Sequence, residues 1–527
     1  MNLKLIIPLT ILSLLTTCPV QAQKVAIGHN PIIYADVPDP DIIAAGDNYY
    51  MVSTTMFFCP GVPVMRSKDL VHWEIVNYVY DILEDNDTYN LVGGKNAYGK
   101  GSWASTLRYS NGVYYVVFVS NDQRKTYIYK TRDIEKGPWT RSVIPEVLHD
   151  PSLLFEDGHL YVIYGAAQIR VRELLPDGSA IKKDGADKVV IVSKGYNLNA
   201  EGSHLYKING KYYDFVIAWP RGGMRQEICY RSDSLLGTYE MKVVMNDKIG
   251  TRNDGIAQGG IVQTSRGDWY SIIFQDHGAV GRCPVLQPVK WVDGWPVFGN
   301  EGKAMETVEV KLPSAGKDYI IANDEFKYSQ NKLSLVWQWN HNPDNSLWSV
   351  TERKGWLRLK TGVVGKDLMQ TRNLLGQRTA GPRCSTEVLL DASGMQAGDH
   401  AGICAFQGNY AALGVNVSEN GEKKIVLTSR VPRQEPAESF SQTLPKGKNK
   451  VYLKIVYNFE PAQKDSEGDI ATFFFSFDNK TWTDTGYKLK MKYTLDLFVG
   501  YRSMIYNYAT VKAGGYADFD YYKQEIL

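Results

Sequence analysis

The chain predicts an all-β protein, a five-bladed β-propeller followed by a β-sandwich. Three observations predict it. A tight-turn signal followed by aromatic or β-branched residues recurs five times. The recurrence stops near residue 313. Beyond that point short alternating strands continue in another style.

The five turns are Gly46-Asp47-Asn48-Tyr49-Tyr50, Asn111-Gly112-Val113-Tyr114-Tyr115, Asp157-Gly158-His159-Leu160-Tyr161, Asn209-Gly210-Lys211-Tyr212-Tyr213 and Arg266-Gly267-Asp268-Trp269-Tyr270. Each reads as a hairpin turn that requires positive φ, followed by a strand. Their spacing of about 45 to 65 residues suits one four-stranded blade. Ser67-Lys68-Asp69-Leu70-Val71-His72-Trp73, Thr131 through Trp139 and Arg231 through Tyr239 read as outer strands of successive blades. No long segment has helical period, so helix content is expected to be low. The propeller is placed at 23–313, a linker at 314–322 around Ser314-Ala315-Gly316-Lys317, and the sandwich at 323–527. Strands such as Val451-Tyr452-Leu453-Lys454-Ile455 and Thr472-Phe473-Phe474-Phe475 suit that second domain.

Lys4 and the apolar run Leu5 to Leu15 read as a signal peptide over 1–22, too short to span a bilayer comfortably. Cleavage after Ala22 would release a periplasmic or extracellular protein. Leu15-Thr16-Thr17-Cys18 is the alternative, a weak lipobox that would anchor a lipoprotein through Cys18. No later stretch is apolar enough for a transmembrane segment. The 59 basic and 57 acidic residues leave a net charge of +2, which gives no reason to expect a nucleic-acid partner. The six cysteines lack CxxC or zinc spacing and are expected to be mostly free, buried thiols. Gly94-Lys95-Asn96-Ala97-Tyr98-Gly99-Lys100 nearly matches a phosphate loop. Gly101 stands where Ser or Thr would bind magnesium, so it reads as a glycine-rich loop.

The chemistry lies eight or nine residues before each hairpin turn. Asp39, Trp103, Asp150, Glu201 and Gln258 stand there in turn. The innermost strand of each blade lines the central channel, so equivalent positions form a ring at one mouth. Three carboxylates converging there would raise at least one pKa and hold an acid protonated near neutrality. Glycoside hydrolysis needs such a pair, one carboxylic acid and one carboxylate.

These residues carry a resemblance. Pro38-Asp39-Pro40-Asp41-Ile42, Pro60-Gly61-Val62 with Ser67 through Trp73, His149-Asp150-Pro151-Ser152-Leu153, Glu201-Gly202-Ser203-His204-Leu205-Tyr206-Lys207, and Gly281-Arg282 before Gln287-Pro288-Val289-Lys290-Trp291 resemble glycoside hydrolase family 43. The likeness is to its members with a concanavalin-like sandwich after the propeller. It implies Asp39 as general base, Glu201 as general acid and Asp150 as the group that orients Glu201. It implies Arg282 on a sugar hydroxyl or steadying the carboxylates, and Met56, Phe57 and Trp103 as pocket walls, with Gln258 and His277 as further binding positions. The family inverts configuration, which implies carboxylates about 6.5–9.5 Å apart. No cofactor is required. Some members hold a central calcium through a His near the fifth-blade motif. That stretch here reads Ala257-Gln258-Gly259-Gly260, and His277 is the substitute ligand. Asp41 stands where many members carry Ser, and would perturb the base or face outward.

The resemblance implies an exo-acting hydrolase that removes terminal β-D-xylose from plant cell-wall xylan or arabinoxylan. An α-L-arabinofuranosidase is the alternative within the family. A non-catalytic carbohydrate-binding propeller is the rival from another class. A WD-repeat interaction propeller is disfavoured, because its Gly-His and Trp-Asp signatures are missing.

Overall fold

The computed structural model describes residues 24–463 and 467–527; the leader and Cys18 lie outside them. Helix is limited to three short 3₁₀ turns among the described residues. Five four-stranded antiparallel sheets span 41–80, 106–144, 152–192, 196–245 and 257–298, and we number these blades I to V.

The five sequence turns are the hairpins between the first and second strands of the blades. Asn111, Asp157 and Asn209 take φ near 50°, and the glycines after them φ of 77° to 82°. That pair of left-handed residues is the type I′ turn, whose twist matches the flanking strands. The innermost strands Asp41–Ala45, Thr106–Ser110, Ser152–Glu156, Tyr196–Ile208 and Ala257–Gln263 pack side by side around the channel, and the last packs beside the first. A strap seals the join between blades V and I: Val25–His29 pairs antiparallel with Thr307–Pro313. Asn30 reinforces it, donating to the carbonyls of Leu286 and Met305 and accepting from the Leu286 N–H.

One expectation is corrected. Ser67–Trp73 is the corner between the third and fourth strands of blade I, not an outer strand. Asp69 Oδ1 accepts from the N–H groups of Val71 and His72, and Ser67 Oγ from those of Asp69 and Leu70. Asp133 caps the matching corner of blade II in the same way. Short oxygen-bearing side chains favour this local bonding over a ladder.

The second domain packs an eight-stranded sheet on a seven-stranded one. Residues 450–458 alternate between outward and buried side chains, and Val388, Leu453 and Phe475 are buried and lie in cross-strand register. Each such side chain contributes roughly 1.5–3 kcal/mol by burial. The sandwich is not separate from the propeller. Phe58–Cys59 leaves blade I and pairs with Gln338–Asn340 as the edge of the eight-stranded sheet. Cys59, Cys229, Cys283, Cys384 and Cys404 are free and buried, as expected.

Candidate active site

The ring positions enter the channel through strained backbone. Asp39, Asp150 and Gln258 have φ of 49°, 47° and 58°. Side chains with Cβ rarely adopt that region, and such residues concentrate at functional sites. In blade IV the equivalent irregularity is a run of register shifts around Glu201. The kink ends each approach loop and turns its side chain toward the mouth.

Asp39 is buried and accepts a hydrogen bond from Arg282 Nη1 at 2.7 Å. Burial pushes its carboxyl up. The Arg282 charge opposes this, and Asp36 and Glu201 add to it. The net rise makes Asp39 a stronger base than a free aspartate. Arg282 Nε and Nη2 are buried without partners, so two donors remain for a ligand.

Across the ring, His149 Nε2 lies 3.2 Å from Glu201 Oε2 and 3.6 Å from Asp150 Oδ2. Burial alone would lower the imidazole, but the charges of Asp150 and Glu201 raise it to about 9. Asp150 rises to about 7 through burial, against His149 and together with Glu201 and Asp39. A free aspartate is ionised at pH 7 and a free imidazole mostly neutral, so both upward shifts favour keeping a proton beside Glu201.

The walls join the two halves. Trp103 lies 5.3 Å from Phe498 and 6.5 Å from His149, measured between ring centroids. Phe498 lies 4.6 Å beneath the Arg282 guanidinium. Asp39, Arg282, Phe498, Trp103, His149, Glu201 and Asp150 therefore form a continuous surround. Gln258 packs against Gly202 beside Glu201, and its own N–H donates to Glu227 at 2.6 Å.

Phe498 comes from the sandwich, 200 residues beyond the end of blade V and held there by close docking. A Cβ on Gly500 would stand 2.0 Å from the Val280 carbonyl, so only glycine permits the approach. Gly500 N–H donates to Asp36 and Tyr501 N–H to Ala279. Nothing in the sequence marks Phe498. His149 was quoted within its motif without a role, and its place before Asp150 was the available signal.

Two expected wall positions differ. Phe57 is 1% exposed and stacks on His341 with Phe58 and Tyr98 beside it, facing the sandwich. Phe498 supplies the wall expected of it. Met56 is equally buried and bridges to Ser102, one residue before Trp103. His277 packs its ring edge-on against Tyr34, and burial with the nearby Arg252 lowers it to about 3. His277 Nε2 is buried without a hydrogen-bond partner. The glycine-rich loop 94–101 contains no phosphate-loop helix.

Comparison with known proteins gives the same picture. Residues 28–296 match the model for glycosyl hydrolases family 43. Residues 323–525 match the β-xylosidase C-terminal concanavalin A-like domain. A β-xylosidase of Formosa agariphila is 30% identical, over 94% of this chain and 89% of its own. A non-reducing end α-L-arabinofuranosidase of Bacteroides ovatus is 28% identical, over 82% and 84%. The solved structure of a bifunctional GH43-CE protein of Bacteroides eggerthii superimposes with a TM-score of 0.88 at 46% identity. It covers 96% of this chain, and the chain spans 64% of that protein's length. Fold, paired acids and relatives agree, and the chain belongs to glycosyl hydrolase family 43 as a glycoside hydrolase with a propeller and a concanavalin-like sandwich.

Proposed function

We propose that the enzyme removes a terminal β-D-xylose from xylan-derived oligosaccharides with inversion at the anomeric carbon. One observation carries the reading: Asp39 with its arginine and the proton-holding group of His149, Asp150 and Glu201 belong to one surround, with Trp103 and Phe498 between them. Asp39 takes a proton from water as that water attacks C1. Glu201 gives a proton to the departing glycosidic oxygen, and the C1–O bond breaks. Asp150 and His149 hold Glu201 in place. The free donors of Arg282 bind sugar hydroxyls. No cofactor enters these steps.

The α-L-arabinofuranoside is the second reading, supported by the similar Bacteroides ovatus protein. The two pentoses present similar hydroxyls. Hydrolysis of an aryl β-D-xyloside and an aryl α-L-arabinofuranoside side by side, with Glu201→Gln as control, decides between them. Xyloside turnover that is lost in the control supports the first reading. Turnover of the arabinofuranoside alone replaces it with the second. Proton NMR of the first-formed sugar tests inversion: an α-anomer from the β-xyloside is expected, and a β-anomer would exclude it. On the sequence of 1–22 the enzyme is exported, and the mass of its mature N-terminus distinguishes cleavage after Ala22 from lipidation at Cys18.

A further inference from the structure

Below the mouth lies a second cluster, to which the catalytic proposal gives no role. Asp41 is fully buried, and both its oxygens are hydrogen-bonded. Oδ2 accepts from the Leu107 N–H at 2.7 Å and from Arg108 Nη1 at 2.6 Å. Oδ1 accepts from His204 at 2.9 Å and from the Tyr206 hydroxyl at 3.4 Å. Arg108 uses the rest of its fork on three blades. Nη1 also donates to the Leu107 carbonyl, Nε to that of Leu153, and Nη2 to Ser152 Oγ and the Leu205 carbonyl. Its guanidinium lies 4.8 Å over the Tyr206 ring, and the Tyr206 hydroxyl accepts from Ile261 N–H of blade V. One ion pair thus reaches all five innermost strands. Gly260 leaves room for it, because a Cβ there would stand 2.6 Å from Asp41 Oδ1 and 2.7 Å from the Tyr206 hydroxyl.

The attachment points follow a pattern. Asp41 lies two residues after Asp39, and Ser152 two residues after Asp150. His204 and Leu205 lie three and four after Glu201. Asp39 and Asp150 stand two residues ahead of the first residues of their strands, and Glu201 lies within its own, so fixing these points holds the three acids relative to one another.

We propose that Asp41 and Arg108 are positioning residues that hold Asp39, Asp150 and Glu201 in catalytic register. The guanidinium is also the channel's resident positive charge, which leaves no seat for calcium. Its planar fork suits this role, because one rigid group satisfies acceptors in several directions at once. The inference rests on the hydrolase reading of the mouth.

The test compares Arg108→Met, Arg108→Lys, Asp41→Ser and the double variant Asp41→Ser/Arg108→Met with the wild type, on whichever aryl pentoside the wild type hydrolyses. Arg108→Met should lose on the order of 10² in kcat, the scale of a displacement of about 1 Å. KM should change by less than about threefold. Arg108→Lys should recover roughly tenfold of that loss, because it keeps the charge without the fork. The double variant leaves no unpaired buried charge and should lose less than the product of its parents. Chelator and added calcium should leave the wild type unchanged.

Variants that melt lower yet keep wild-type kcat and pH profile would reduce the pair to a structural staple and overturn the proposal. A double variant that fails to fold does the same, and activation by calcium overturns the claim about the channel. One readout needs no substrate: the His149 imidazole, followed by NMR, should titrate about half a unit away from its wild-type value in Arg108→Met. A wild type that hydrolyses nothing breaks the substrate reading, and the NMR arm still decides this one.

Discussion

Asp39 and Asp41 are separated by a single proline, and both are buried, yet they titrate in opposite directions. At the mouth, Asp39 has one cationic partner and several acidic neighbours, and burial carries its pKa upward. In the channel, burial would again raise Asp41, but Arg108, His204 and the Leu107 N–H hold it down at about 2. Loss of solvent is common to both sites, so the partners set the sign. Asp41 lies below its ordinary value of 3.8. Its stabilising contribution is therefore full above that pH and disappears as the pH falls through about 2. It stays ionised where the enzyme works. The mouth keeps donors and protons in reserve, whereas the channel spends every oxygen of Asp41 on structure.

The contrast can be broken most severely at Asp39. Asp39→Asn removes the base while keeping its shape, and kcat is expected to fall by on the order of 10²–10⁴. Activity within a few-fold of wild type would place the base elsewhere. Arg282→Met comes next, with a loss on the order of 10² in kcat/KM, because it removes the Asp39 counter-charge and two donors to the sugar. Steady-state kinetics on the same aryl pentoside check both.

How much of this was legible before the fold was known differs by distance along the chain. The five turns and the ring residues were legible because each turn lies eight or nine residues after its ring residue, a short local spacing. Corner motifs such as Ser67–Trp73 were visible as repeats but misread as strands, since a capped turn and a short strand share residue types. The Asp41–Arg108 pairing was hidden. The two are 67 residues apart, and only closure of the ring brings blades I and II together. Phe498 was further out of reach, because its position depends on how a second domain docks. Phe57 was misplaced for the same reason: the strand after it belongs to the sandwich.

Smaller effects sharpen the picture. Phe498→Ala should raise KM roughly tenfold with kcat nearly kept, as loss of one aromatic wall does. A change in kcat alone would remove it from the binding surface. His149→Ala should move the acid limb of the pH profile. His149 lowers the Asp150 pKa. Without it Asp150 rises further, so the limb shifts to higher pH, by about one unit. A limb that stays in place would mean that Asp150 ionisation does not govern activity.

The division of labour between the two sides of the mouth is tested most directly by leaving-group dependence. kcat/KM would be measured across a series of aryl pentosides for Glu201→Gln and Asp39→Asn. The acid assignment predicts that Glu201→Gln loses least with the best leaving groups, giving a steep dependence, while Asp39→Asn loses the same factor throughout. A flat response in Glu201→Gln with a steep one in Asp39→Asn would reverse the roles and contradict the account.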